Sequence, residues 1–365
     1  MQVLAKDTRV NTFLNSIGRN SKNSRKSYQT GLIHFAEFLK PKKQTPDTIV
    51  PFLQNQRINT YEILDNFVSY LTLKEIATVS LRIYVGAVRS YLEFHDIDIV
   101  PSKFRRRVKL PKFYPDSQEP LSLTDIRDLL EFCSNTRLRT YILLLTSTGL
   151  RATEAAALRI MDIDFTTNPT KINVRKEYTK TKRGRTIYCS DEATKHLHKL
   201  IEIHKTKGQE DLIFAIRNKT NKPSSVYNRL LEHFERLQHT ADKDARKENS
   251  KRRKITLHSF RRTAFSIINE QVDNEFANWF IGHNHSVYWT HKEAERRSIY
   301  HTKCMPFLTI YQDARNNTIE TTLREKDRTI KLLTNRIADI EHDQKIIMDL
   351  LQDPEQLKKK LVSSD

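Results

Sequence analysis

Helical spacing of apolar residues governs this chain almost from end to end, and it breaks in one place. Tyr28, Leu32, Phe35 and Phe38 fall three and four apart, as do Tyr61, Leu64, Phe67, Val68 and Leu71. A third run holds Leu81, Val85, Val88, Leu92 and Phe94. That spacing lines side chains along one face of an α-helix. After Asp164 the pattern changes: Lys171-Ile172-Asn173-Val174 and Arg185-Thr186-Ile187-Tyr188 read as two strands, joined by a turn of Lys, Thr, Arg and Gly. Helical spacing returns from Asp191 to about Ile310. The fold class expected is therefore mainly α with a small β-sheet (α+β).

The 365 residues suit two domains and an appendage. Residues 1–20 read as a polar, mobile lead-in to a helical domain within residues 1–100. From Pro101 to Pro115 the chain carries Lys103, Arg105, Arg106, Arg107, Lys109 and Lys112, with no acid before Asp116. Pro101, Pro111 and Pro115 predict an extended basic linker over residues 101–118. A second domain is expected over 119–312. Ser122 and Asp125 have capping-box spacing ahead of a helix at Ile126–Cys133. Helices at Leu138–Ser147, stopped by Gly149, and at Thr153–Leu158 follow. Asp242 to Lys254 is dense in charge and reads as a loop.

The chain carries 63 Lys and Arg against 44 Asp and Glu, a formal net charge of +19. Such a surplus attracts polyanions: DNA, RNA or an anionic membrane. The longest apolar stretch, Tyr141 to Leu145, is far below the roughly 20 residues that span a bilayer. The first residues show no signal-peptide pattern. Cys133, Cys189 and Cys304 lie far apart without CxxC spacing, which argues against a disulfide framework or zinc site and fits a reducing cytoplasm. Nucleic acid remains. Lys22, Arg25 and Lys26, on the polar edge of the first domain, join Lys103, Arg105, Arg106, Arg107 and Lys109 as candidate DNA contacts.

Residues 313–365 differ in kind. Ile319, Leu323, Ile330, Leu333, Ile337, Ile340, Ile347 and Leu351 form a seam of alternating three- and four-residue steps, interrupted only by Lys326 and Gln344. Heptad spacing of this sort buries its stripe against a partner helix, as a coiled coil, or against the chain's own second domain.

Three short motifs carry chemistry. In Thr148-Gly149-Leu150-Arg151-Ala152-Thr153-Glu154 an arginine follows a helix-ending glycine, at a loop-to-helix junction that favours an anion. Glu154 is placed to hold that guanidinium or to cap the helix. In Leu257-His258-Ser259-Phe260-Arg261, His258 and Arg261 share a helix face. In Trp279-Phe280-Ile281-Gly282-His283 a histidine follows a second helix-stopping glycine.

Taken in this order, with the basic strand turn between the first two and a tyrosine after the last, the motifs resemble the tyrosine recombinase family of integrases and Xer-type resolvases. The resemblance covers roughly residues 20–312, and the region around Tyr288-Trp289-Thr290 is similar to archaeal members. It implies a helical core-binding domain, a catalytic domain of that family and a tyrosine that attacks a DNA phosphate, forming a 3′-phosphotyrosine and releasing a 5′ hydroxyl. Arg151 and Arg261 then grip the phosphate oxygens. His258 takes or relays the tyrosine proton, and His283 donates to a phosphate oxygen. A lysine of the β-turn protonates the leaving oxygen. The family pattern sets it five residues before a strand-opening arginine, which selects Lys180 if that arginine is Arg185. Lys182 is the rival, or a DNA contact, and Lys176 stands behind both.

The tyrosine is the most open position. Family members carry a longer spacer after the Gly-His histidine than the four residues between His283 and Tyr288. Thr290 and Glu293 have capping-box spacing, which sets Tyr288 on the loop ahead of a helix; Tyr300 falls inside that helix, and Tyr311 after Pro306 reads as core or surface. His285 is the alternative to His283. Because the phosphotyrosine keeps the bond energy, the resemblance implies no cofactor and no metal. It implies double-stranded DNA as partner, a tetrameric synapse with a Holliday junction, and a place on the nucleoid. A type IB-like topoisomerase and an inactive DNA-binding relative are the competing readings.

Overall fold

The computed structural model describes residues 8–113, 119–179, 182–203, 208–216, 222–246, 253–283 and 291–311, with separate helical positions between Lys326 and Met348. The chain divides into two compact units, Met1–Ser117 and Gln118–Asp365. Among the described residues no helix is long and apolar enough to cross a membrane.

Among the described residues the first unit holds six α-helices: α1 Thr8–Asn20, α2 Lys22–Leu39, α3 Pro46–Gln54, α4 Thr60–Leu73, α5 Thr78–Phe94 and α6 Pro101–Arg107. Ser21, Thr45 and Asn59 cap α2, α3 and α4 by accepting from backbone N–H groups of the first turn. The apolar faces read from sequence meet in one core, with Leu32, Phe35, Leu64, Phe67, Val85 and Val88 at its centre. Phe94, the last residue of its run, is 42% exposed instead.

Two expectations fail here. Thr8–Asn20 is a helix and not a mobile lead-in: Val10, Phe13 and Leu14 are buried. The Asp47 carboxylate accepts from the backbone N–H groups of Arg9 and Val10 at 2.9 and 3.1 Å, satisfying two orphan donors of the first turn. The basic segment is likewise not extended throughout. Pro101 sits at the first helical position of α6, where its missing N–H has no cost, and Phe104 and Val108 are buried in the unit's core.

The second unit begins with α7 Leu123–Glu131, capped by the Ser122–Asp125 box anticipated from sequence. Then come α8 Thr136–Thr148 and α9 Ala152–Ala156. A three-stranded antiparallel sheet follows, β1 Ile163–Asp164, β2 Lys171–Val174 and β3 Arg185–Tyr188, in the order β1-β2-β3. Its register pairs Ile163 with Ile172 and Ile172 with Ile187. Helices α10 Asp191–Ile203, α11 Pro223–Thr240, α12 Leu257–Gln271, α13 Asn274–Ile281, α14 Glu293–Ile299 and α15 Met305–Leu308 complete it. Mainly α with a small sheet is what the spacing predicted.

Helix α8 is the axis of this unit. From Thr140 to Thr148 every residue is buried. Its polar side chains survive there because Thr140, Thr146 and Thr148 donate to carbonyls four residues back. The charged loop expected over Asp242–Lys254 lies partly outside the described residues. Within it, Arg246 and Arg253 are bridged as neighbouring strands are.

Candidate active site

The C-terminus of α8 sets up the site. Gly149 ends the helix at φ 58°, a left-handed conformation that a side chain strains. A Cβ there would also meet Ile281 at 3.0 Å and Ala264 at 3.2 Å, so α12 and α13 close directly on this turn. The Gly149 carbonyl accepts from Arg261 Nη1 of α12 at 2.7 Å. Arg261 thus holds the turn that displays Arg151, although 112 residues separate it from Gly149.

Behind the arginines lies one carboxylate. Glu154 is fully buried. Its Oε1 accepts from Arg151 Nη1 at 2.7 Å and its Oε2 from the Arg151 backbone N–H at 3.1 Å. Arg185, at the start of β3, donates Nη2 to Oε2 at 2.7 Å and Nη1 to Oε1 at 3.3 Å. Burial raises the Glu154 pKa, but the bonds and charge of Arg185, then those of Arg151, outweigh it and leave the group below its ordinary value. Both sequence readings of Glu154 hold at once: it clamps the guanidinium and caps α9.

Arg185 served the sequence reading only as a landmark for counting back to a lysine. In the fold it joins three parts of the site. It pairs with Glu154, it opens β3, and its guanidinium lies against Gly282, where a Cβ would come within 2.8–2.9 Å of it. Gly282 ends α13 at φ 75° and sends the chain into His283, whose backbone N–H donates to the Asn278 carbonyl at 2.8 Å. The signal in sequence is the strand-opening arginine itself; its partner 31 residues away is not visible there.

The site is electropositive and under-compensated. Burial, then the Arg151 charge, pushes Arg261 down to about 9, with Glu154 pulling the other way. It remains a cation at neutral pH, and its Nη2 is buried with no hydrogen-bond partner among the described residues. Burial also lowers His258 and His283, reinforced for both by Arg261 and Arg151, by Arg262 for His258, and by Arg185 for His283. Both imidazoles are therefore neutral at pH 7, able to accept a proton. Such an arrangement favours an anion beside Arg261.

Arg151, His258, Arg261 and His283 are thus brought together. Lys180, Tyr288 and His285 lie outside the described residues. Lys182 is exposed in the β2–β3 turn at φ 53°, and Lys176 is exposed as well. Tyr300 is fully buried: its hydroxyl donates to the Ser147 carbonyl at 2.9 Å and its ring stacks on Phe280 at 5.1 Å. Burial holds its phenol well above the ordinary value, so the packing reading applies. Tyr311 is half-buried at 3.4 Å from Arg139 Nη1. Helix α14 starts at Glu293 with Lys292 as its N-cap, which corrects the Thr290–Glu293 capping box; Thr290 itself is outside the described residues.

Residues 120–292, which contain this whole arrangement, match the model of the phage integrase family. These residues form a phage integrase family domain. The chain is 27% identical over 214 residues to the tyrosine recombinase XerA of Saccharolobus solfataricus, covering 58% of this chain and 68% of the relative. It is 31% identical over 194 residues to the tyrosine recombinase XerD of Rickettsia conorii, covering 50% of this chain and 60% of that protein. Two solved structures share the fold. A lambda integrase(75-356) dimer bound to a COC′ core site gives a TM-score of 0.54 at 16% identity, over 79% of this chain and 98% of that one. The XerH site-specific recombinase bound to difH substrate gives 0.51 at 16% identity, over 81% and 78%.

Proposed function

We propose that this chain is a site-specific DNA recombinase that cuts and rejoins strands through a 3′-phosphotyrosine. The observation that carries the reading is the Nη2 of Arg261, buried and without a partner among the described residues, beside Arg151 and a Glu154 carboxylate already taken by Arg151 and Arg185. A buried donor of this kind costs free energy until an acceptor fills it. A scissile phosphate supplies that acceptor and gathers negative charge as it is attacked.

In this mechanism the Tyr288 oxygen attacks phosphorus and its proton passes to the neutral His258. The bond from phosphorus to the 5′ oxygen breaks, and Lys180 gives that oxygen a proton. Arg151, Arg261 and His283 hold the other phosphate oxygens. Reversal by a 5′ hydroxyl from a second duplex exchanges strands, and two such exchanges pass through a Holliday junction within a tetrameric synapse. Lys22, Arg25, Lys26 and Lys182, with Lys103, Arg105, Arg106, Arg107 and Lys109, are all exposed and serve as backbone contacts. In domain terms, residues 1–100 and 101–118 grip the duplex, 119–312 carry the chemistry and 313–365 form an accessory helix.

The test uses nicked suicide duplexes of randomised sequence, end-labelled, with covalent protein–DNA complexes resolved in detergent gels. The unmodified chain forms such a complex, Tyr288→Phe forms none, and the DNA-bearing peptide contains Tyr288. Label on another peptide moves the nucleophile, and no complex at all favours an inactive DNA-binding relative. Relaxation of supercoiled plasmid without any preferred site favours a topoisomerase.

A further inference from the structure

We propose that the C-terminal helix pairs with the same helix of a second copy, parallel and in register, before any DNA is bound. The described positions there, Lys326, Ile330, Leu333, Thr334, Arg336, Ile337, Ile340, Glu341, Gln344 and Met348, are all helical and all exposed. Ile330, Leu333, Ile337 and Ile340 are between 51% and 59% exposed. The alternative from sequence, that this stripe folds back on the catalytic unit, requires those side chains to be covered, and they are open. A continuous apolar stripe on a solvated helix costs free energy until it is buried.

The period identifies the occupant. Steps of three and four keep these four residues on a seam that matches another helix of the same period, with Ile330 and Ile337 at one core position and Leu333 and Ile340 at the other. Lys326, also on the seam, meets its own copy in a parallel pair, where its long stem lets the ammonium reach solvent; Gln344 and the flanking charges then choose the direction. In a parallel pair Gln344 meets the partner's Gln344, and the two amides can bond to each other. Arg336, just before one core position, faces the partner's Glu341, just after another, and the same pair recurs across the symmetry axis. An antiparallel pairing of the same layers sets Arg336 against itself or Gln344 against Leu333. Exposed ion pairs add little affinity, so this pattern selects orientation while the apolar seam supplies binding.

The inference rests on exposure and heptad chemistry and stands apart from the recombinase reading. The full chain without DNA is expected to sediment as a dimer at micromolar concentrations. Joint Ile337→Lys and Ile340→Lys substitution is expected to return the mass of one chain with the thermal midpoint kept. A monomeric unmodified chain overturns the proposal, as does a dimer indifferent to those lysines. A lower midpoint in a monomeric variant signals fold-back and overturns it too. For direction, Ile340→Cys under mild oxidant is expected to cross-link to its own equivalent, since Cys133, Cys189 and Cys304 are buried; absence of that cross-link in a dimer overturns the parallel register. Yield of covalent complex on the suicide duplex reports separately on the enzyme.

Discussion

Basic side chains serve opposite ends in the two units. In the first, Lys22, Arg25, Lys26 and the cations of α6 are exposed around an apolar core. In the second, Arg261 is buried, and the side chains of Arg185 and Arg151 are 9% and 21% exposed, all of them organised by Glu154 or the Gly149 carbonyl. Exposed cations bind a polyanion through counterion release, additively and with steep salt dependence. Buried ones act through fixed geometry, where a missing partner matters far more than a missing charge. On the proposed function, the same residue type gives affinity in one unit and chemistry in the other.

The sharpest way to break this contrast is Glu154→Ala. It strands two guanidiniums, and removing one partner of a buried pair costs about 3–5 kcal/mol; thermal unfolding is expected to show that loss together with abolished cleavage. Arg261→Ala comes next. Cleavage of a nicked duplex is expected to fall by about 10²–10³-fold, as when one donor to a developing charge is removed, with duplex affinity changed far less. An equal loss in both measurements would place Arg261 with the exposed cations and erase the distinction.

Gly282→Ala tests the link through Arg185. The left-handed backbone and the clash with the guanidinium together are expected to cost about 1–3 kcal/mol, read as a lowered thermal midpoint. The exposed side of the comparison is sharpened by replacing Arg105, Arg106 and Arg107 with Gln. Duplex affinity should weaken, and the slope of log K against log salt should shrink by about 0.9 for each phosphate left without its cation. Cleavage at saturating DNA should hold steady.

The smallest effect concerns pH. His258 and His283 are lowered from 6.5 by burial and neighbouring cations. The unfolded chain therefore binds these protons more readily, so stability is full above pH 6.5 and declines as pH falls toward the folded values. The acid limb of cleavage by the free enzyme is expected below 6.5. A limb above that value counts against a neutral imidazole as proton acceptor.

Much of the site was legible in the sequence because its chemistry depends on residue type at short range. Arg151 after Gly149, His258 and Arg261 on one helix face, and His283 after Gly282 are local patterns. The strand pair was legible for the same reason, matching β2 and β3 residue for residue. The errors came where the deciding partner is distant. The cap on α1 comes from Asp47, 37 residues from Val10. Phe104 turns a basic, proline-bounded stretch into a helix because a core is there to receive it.

By itself, then, the sequence determined which groups the site could contain and where helix gives way to sheet, since backbone periodicity and side-chain chemistry are properties of neighbours along the chain. Only the tertiary structure decided that Arg185 shares Glu154 with Arg151, that Arg261 is buried with a donor to spare, and that Tyr300 belongs to the core. Those outcomes depend on desolvation and on contacts across 31 to 153 residues, and burial is set by what the folded chain places on every side.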